Sequence, residues 1–129
     1  MRIITLCLLI LSAAGSAAQN SGPDRSSSSR YIVLQSSITA RLTMKLDTRT
    51  GDTHLLLLAT DSSFVWEKVP RLSHPDYPNE NKEQGIYSVF MSTTLVRNVI
   101  LLNKTSGASW MLTPMKDGSY LWEPIREQR

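Results

Sequence analysis

The chain repeats itself without a gap. Residues 31–69 align on residues 87–125, with 11 identities in 39 pairs. The identical pairs include Tyr31/Tyr87, Gly51/Gly107, Asp61/Asp117, Trp66/Trp122 and Glu67/Glu123. Self-similarity at a fixed period marks a structural unit that is used twice. A unit of about 40 residues is too small to hold a core without disulfides or metal, so the repeat predicts two units that share one core.

Each copy has an apolar period near two, interrupted by short turn sequences. This pattern is typical of strands. It predicts strands near 31–36, 40–46, 53–59 and 64–69, and near 87–92, 96–102, 109–115 and 119–125. We therefore predict an all-β fold of two similar four-stranded antiparallel units, packed as one sandwich or barrel. The run 99–102 is apolar on both sides, which predicts a more central strand than its counterpart in the first copy.

A matching turn occurs in both copies. Asp47 and Asn103 stand at the turn entry, and Gly51 and Gly107 follow four residues later. A short carboxylate or amide accepts backbone N–H bonds inside a turn, and glycine adopts the left-handed conformation that closes it. Both copies are therefore expected to reverse direction at this position.

The N-terminal region predicts export. Residues 1–18 combine Arg2, an apolar run and the small residues Ser16-Ala17-Ala18, which is typical of a cleaved secretory signal. A retained N-terminal anchor is the alternative. The polar segment 19–30 predicts a flexible leader. Residues 31–129 then form a single β domain, made of repeat 31–69, connector 70–86 and repeat 87–125.

Composition excludes several classes of protein. Without Arg2 the chain has 13 basic and 11 acidic residues, interspersed, so nucleic-acid binding is not expected. The apolar run of the signal is shorter than the roughly 20 residues of an ordinary membrane-spanning helix, and no stable transmembrane segment is expected after cleavage. Cys7, the single cysteine, lies in the signal. No phosphate-binding loop or dinucleotide fingerprint is present, so we expect no cofactor.

The string Leu46 to His54, and more closely Leu102 to Trp110, resembles the L-D-x-x-T-G-x-x-W turn of propeller repeats. Such repeats belong to proteins similar to quinoprotein dehydrogenases and to outer-membrane assembly lipoproteins, and the turn also looks like one in small exported bacterial proteins. The resemblance implies a braced turn and a tryptophan that packs between units. His54, Asn103 and Ser106 depart from the pattern. Two units cannot close a ring of about four to eight blades, so no quinone chemistry is implied.

The histidines do not form a metal motif. His54 occupies the position of Trp110 in the other copy, which predicts a packing role. His74 lies in the proline-rich connector and is expected to be solvated. No thiol accompanies them, and a zinc site would need further ligands. We therefore predict no metal site.

Repeated charged residues are the candidates for catalysis. Glu67 and Glu123 each follow a tryptophan, and Arg41 and Arg97 repeat as possible partners. Structural ion pairs are the simpler interpretation. The alternative is a pair of glycosidase-like carboxylates, which lie about 5 to 10 Å apart.

Repeated aromatic residues are the candidates for binding. Trp66, Trp110 and Trp122 are expected in the core, with a ligand-stacking platform as the alternative. Arg41 and Arg97 are further candidates for binding. Taken together, these patterns favour a non-enzymatic, periplasmic or secreted module that binds an unidentified protein or envelope partner. The alternative is a small hydrolase of carbohydrate or cell-wall polymers that uses Glu67 and Glu123.

Overall fold

The computed structural model describes residues 29–39, 42–80, 85–95 and 98–128. The predicted signal, residues 1–18, and most of the predicted leader lie outside the described residues. Arg41 and Arg97 also lie outside them, so their pairing with Glu67 and Glu123 stays a prediction.

Eight strands form two four-stranded antiparallel sheets, each in consecutive order. Sheet A contains β1 (Tyr31–Gln35), β2 (Thr43–Asp47), β3 (Thr53–Leu58) and β4 (Phe64–Lys68). Sheet B contains β5 (Tyr87–Met91), β6 (Val99–Asn103), β7 (Ser109–Pro114) and β8 (Tyr120–Pro124). Within the described ranges there is no helix. The all-β prediction and its eight strands are confirmed.

The repeat in sequence is also a repeat in structure. Every strand of sheet B begins and ends 56 positions after its counterpart in sheet A. The first turns match as well: the N–H of Gly51 donates to the carbonyl of Asp47 at 2.9 Å, and that of Gly107 to Asn103 at 2.8 Å. The two glycines have φ of 73° and 88°, in the left-handed region. The predicted turn mechanism is confirmed.

The two sheets pack face to face through faces that are not equivalent in the repeat. Sheet A contributes a face whose buried centre is Met44, Leu46, Thr53 and Leu55. Sheet B contributes a face whose buried centre is Val99, Leu101, Trp110, Leu112 and Trp122. We call these the inner faces. A shift of 56 residues carries the inner face of sheet A onto the outer face of sheet B, because Met44 corresponds to Ile100 and Leu46 to Leu102.

A buried hydrogen bond joins the inner faces. The indole N–H of Trp122 donates to the hydroxyl oxygen of Thr53 at 2.6 Å. Both residues are almost fully inaccessible to solvent. The start of the connector also contacts sheet B, since Trp122 donates its backbone N–H to the carbonyl of Pro70, and Leu72 donates to the carbonyl of Trp122. The two units therefore share one core, as predicted.

Position within a sheet does not explain the apolar character of residues 99–102. Strands β2 and β6 are both the second strand of their sheet, so the prediction of a more central strand in the second copy is wrong. The cause is the choice of face. The side of β6 that carries Leu101 is turned inward, whereas the matching side of β2, which carries Lys45, is turned outward.

The prediction that His74 is solvated is also wrong. The side chain is 2% exposed. Its ring packs edge-on against the rings of Tyr77 and Trp110, at centroid distances of 4.8 and 5.3 Å. Nε2 donates to the carbonyl of Ile125 at 3.0 Å, and Nδ1 accepts the N–H of Asp76 at 3.2 Å. Both ring nitrogens are satisfied, which makes the burial tolerable.

Candidate interaction surface

The outer face of sheet A exposes a group of large apolar side chains. Their exposure follows from the alternation of side chains along each strand, because only the opposite side of the same strands faces sheet B. The exposed fractions lie between 37% and 74%, and the residues are Tyr31, Val33, Leu58, Phe64 and Trp66. Cross-strand pairing of Leu58 with Phe64, and of Leu56 with Trp66, gathers several of them on two neighbouring strands. We call the side of sheet A that carries these residues the outer face of sheet A, and the corresponding exposed side of sheet B the outer face of sheet B.

Trp66 lies on this face in the middle of β4, the edge strand of sheet A. Its exposed fraction is 37%, so its expected place in the core is not where the structure puts it. The Nζ atom of Lys45 lies 4.9 Å from the ring centroid, which is cation–π geometry. Its repeat counterpart, Trp122, is fully buried and hydrogen-bonded to Thr53. The same sequence position is a core residue in one unit and a surface residue in the other.

His54 and Trp110 show the same division. Trp110 is fully buried, as predicted, and its indole N–H donates to the carbonyl of Leu72 at 2.9 Å. His54 is half-buried on the outer face of sheet A, beside Lys45. Partial burial, and after it the positive charge of Lys45, lowers the pKa of His54 below its ordinary value. This histidine therefore adds little positive charge to the face at neutral pH.

The two repeated glutamates do not converge. Glu67 lies on the side of β4 that carries the inner face of sheet A, and it lines a cleft of about 320 Å³ with Tyr120 and Ser119. Glu123 lies on the outer face of sheet B, where it accepts the hydroxyl of Thr113 at 3.0 Å. Sheet B stands between the two carboxylates. This arrangement does not provide the facing pair that glycoside hydrolysis uses.

A third carboxylate, Glu80, was not among the residues singled out from the sequence. It is 7% exposed and accepts hydrogen bonds from Tyr87 at 2.9 Å, from Ser106 at 2.7 Å and from the amide of Asn103. Burial by itself raises the pKa of Glu80, but these donors outweigh it and the pKa is lowered. Because every donor comes from the second repeat, Glu80 fastens the connector to sheet B.

Arg71 is a second contact of the connector that the sequence did not reveal. Its guanidinium carbon lies 5.2 Å from the ring centroid of Tyr87 and 4.9 Å from that of Trp110. It also donates to the carbonyl of Thr50 at 3.3 Å. The side chain thus bridges the first turn of sheet A and the inner face of sheet B. Its role in the structure is to hold the two units together.

Comparisons with protein-family models, with curated proteins and with solved structures find no match to this chain. Across the described residues, no three metal-ligating side chains come together. In the same part of the chain, no helix has the length and apolar character needed to cross a membrane. The exposed apolar side chains on the outer face of sheet A are therefore the feature that points to a function.

Proposed function

We propose that this protein is an exported, non-enzymatic binding module, periplasmic or secreted, that binds a protein partner through the outer face of sheet A. The observation that carries the proposal is the exposure of Phe64 (74%), Leu58 (64%) and Trp66 (37%) side by side on one face. Contiguous exposed apolar surface on a monomer marks an interaction site, and tryptophan dominates binding energies. Export is supported by the signal-like pattern of residues 1–18.

The alternative, a hydrolase that uses Glu67 and Glu123, has less support. The two carboxylates lie on opposite sides of sheet B. The double substitution Glu67→Gln and Glu123→Gln separates the functions, because it removes both carboxylates and leaves the outer face of sheet A intact. We expect the single variant Glu67→Gln, which alters neither outer face, to bind as the wild type does.

The test is site-specific photo-crosslinking in the cell that produces the protein. A photoreactive residue at Leu58, on the outer face of sheet A, should give a discrete adduct. The same residue at Lys116, exposed in the turn between β7 and β8, is the control and should give none. Equal labelling at both positions, or no adduct at Leu58, contradicts the proposal.

A further inference from the structure

We infer that copies of this chain associate head to tail, with the outer face of sheet A of one copy packed on the outer face of sheet B of the next. The inference rests on the proposed function, because the outer face of sheet A is the binding surface in both. It adds the identity of the partner, a second copy of this chain.

The interface inside the chain supplies the geometry. When the two units are matched by their repeat positions, the inner face of sheet A lies on one side of the unit and the inner face of sheet B on the other. The two sheets therefore pack head to tail, with unlike sides in contact. Each outer face therefore corresponds to an inner face that is covered in the same chain. The outer face of sheet B consists of half-buried residues at the positions of the core of sheet A, namely Ile100, Leu102 and Met111. A head-to-tail contact leaves a free face at each end and so continues from copy to copy.

The repeat contains a second pair of residues with the chemistry of the hydrogen bond that joins the inner faces. Inside the chain the indole of Trp122 donates to the hydroxyl of Thr53. The corresponding residues are Trp66 on the outer face of sheet A and Ser109 on the outer face of sheet B. Both keep the required chemistry, an indole N–H and a hydroxyl oxygen. In the described part of the chain, the N–H of Trp66 has no protein acceptor, so a second copy can supply Ser109.

In the described part of the chain, the outer face of sheet A carries one lysine without an ion-pair partner, Lys45, and the outer face of sheet B carries a carboxylate, Glu123. The outer face of sheet A also carries Lys68, with Nζ 3.1 Å from Asp52. Contact between like faces would bring the lysines of two copies together, which like-charge repulsion disfavours. Contact between unlike faces brings Lys45 of one copy and Glu123 of the next into one interface, which favours the head-to-tail arrangement over a symmetric dimer.

The outer face of sheet A is more polar than the inner face of sheet B to which it corresponds. Lys45 stands in the place of Leu101, and His54 in the place of Trp110. Interfaces that form between separately folded subunits carry more polar surface than a protein core. The replacements therefore suit a face that is hydrated before association and covered after it.

The experiment uses two variants that each block one face. Trp66→Glu places a charge on the outer face of sheet A, and Met111→Lys places one on the outer face of sheet B. Sedimentation velocity of the full mature chain, over a concentration series, measures the association. The wild type should form species larger than dimers, and each substitution should weaken association about thirtyfold or more.

Mixing the two variants is the decisive arm. Each then offers one intact face, so the mixture should form a capped one-to-one dimer that does not grow with concentration. A monomeric wild type overturns the inference, as does a mixture that stays monomeric or a Met111→Lys variant that dimerises alone through like faces. Circular dichroism checks folding, and Phe64→Asp with Phe90→Asp, at 74% and 61% exposure, replace any variant that does not fold.

The crosslinking experiment distinguishes this inference from the proposed function. An adduct at Leu58 with twice the mass of the chain supports both. An adduct with a different protein, together with a monomeric wild type, keeps the proposed function and overturns self-association. Self-association in solution without any adduct in the cell supports the inference and contradicts the proposed function.

Discussion

Thr53→Val should destabilise the fold although it changes the shape of the side chain very little. The hydroxyl oxygen of Thr53 accepts the indole N–H of Trp122 at 2.6 Å, in a site where Thr53 is 1% exposed and Trp122 is 0% exposed. Valine leaves the buried N–H without a partner, and an unsatisfied buried donor costs about 1 to 3 kcal/mol. Burial of a methyl group in place of a hydroxyl offsets part of this cost. We expect a net loss of about 1 to 2 kcal/mol in the free energy of unfolding.

Thermal unfolding followed by circular dichroism measures the effect. For a domain of this size, a loss of about 1 to 2 kcal/mol lowers Tm by roughly 5 to 12 °C. All variants are compared at one protein concentration, because association makes Tm depend on concentration. Thr113→Val is the matched control, since it removes a solvent-exposed hydrogen bond from a strand threonine to Glu123. Its effect should stay within about 0.5 kcal/mol.

A double-mutant cycle tests whether the hydrogen bond is the cause. Trp122→Phe removes the N–H together with some volume and is destabilising by itself. Combined with Thr53→Val, it should cost less than the sum of the two single changes by about 1 kcal/mol, because the second substitution finds no bond left to break. Additive costs, or a Thr53→Val variant as stable as the Thr113→Val control, would refute the reasoning.

Two further predictions concern the turns and the connector. Gly51→Ala should lower the free energy of unfolding, measured in urea, by about 2 kcal/mol or more, because φ is 73° and a Cβ atom would lie 2.5 Å from the ring of Tyr87. Gly107→Ala should lower it by about 1 kcal/mol, because the nearest atom to its Cβ would be 3.6 Å away. Equal costs would show that the contact is unimportant. Glu80 has a lowered pKa in the folded state, so its stabilisation is present above the unfolded pKa of about 4.3 and is lost as pH falls below it. Glu80→Gln should be less stable at pH 7 and should show a flatter decline in acid; an unchanged decline would contradict this.

Much of the fold could be predicted because its signals are local. Alternation of apolar residues gave the strands, and the Asp or Asn followed by Gly gave the turns, where Gly51 and Gly107 indeed have positive φ. These features depend on residues within a few positions of each other. Each local signal occurs in both copies of the repeat, so each strand and turn is predicted independently at two positions.

The faces that would meet could not be predicted in the same way. Trp66 and Trp122 occupy the same position of the repeat and each precedes a glutamate, yet one is exposed and the other is buried. Their difference depends on which side of each sheet meets the other, a contact between residues distant in sequence. The differences Lys45 for Leu101 and His54 for Trp110 carry the signal. Lys45 for Leu101 is equally compatible with a difference in strand position, and His54 for Trp110 with a shared packing role. His74 and Glu80 lie in the connector, which has no period from which burial could be inferred.

The hydrogen bond between Thr53 and Trp122 also bears on when the protein can fold. Its partners are separated by 69 residues. During synthesis, sheet A emerges first, but its inner face is not completely covered, and Thr53 has no indole partner, until β8 has left the ribosome. The strands of each sheet pair with their neighbours in sequence, but a contact between residues this far apart forms late, since the intervening chain must first be brought together. This delay suits the export that we propose, because the chain stays incompletely folded until its last strand has been made.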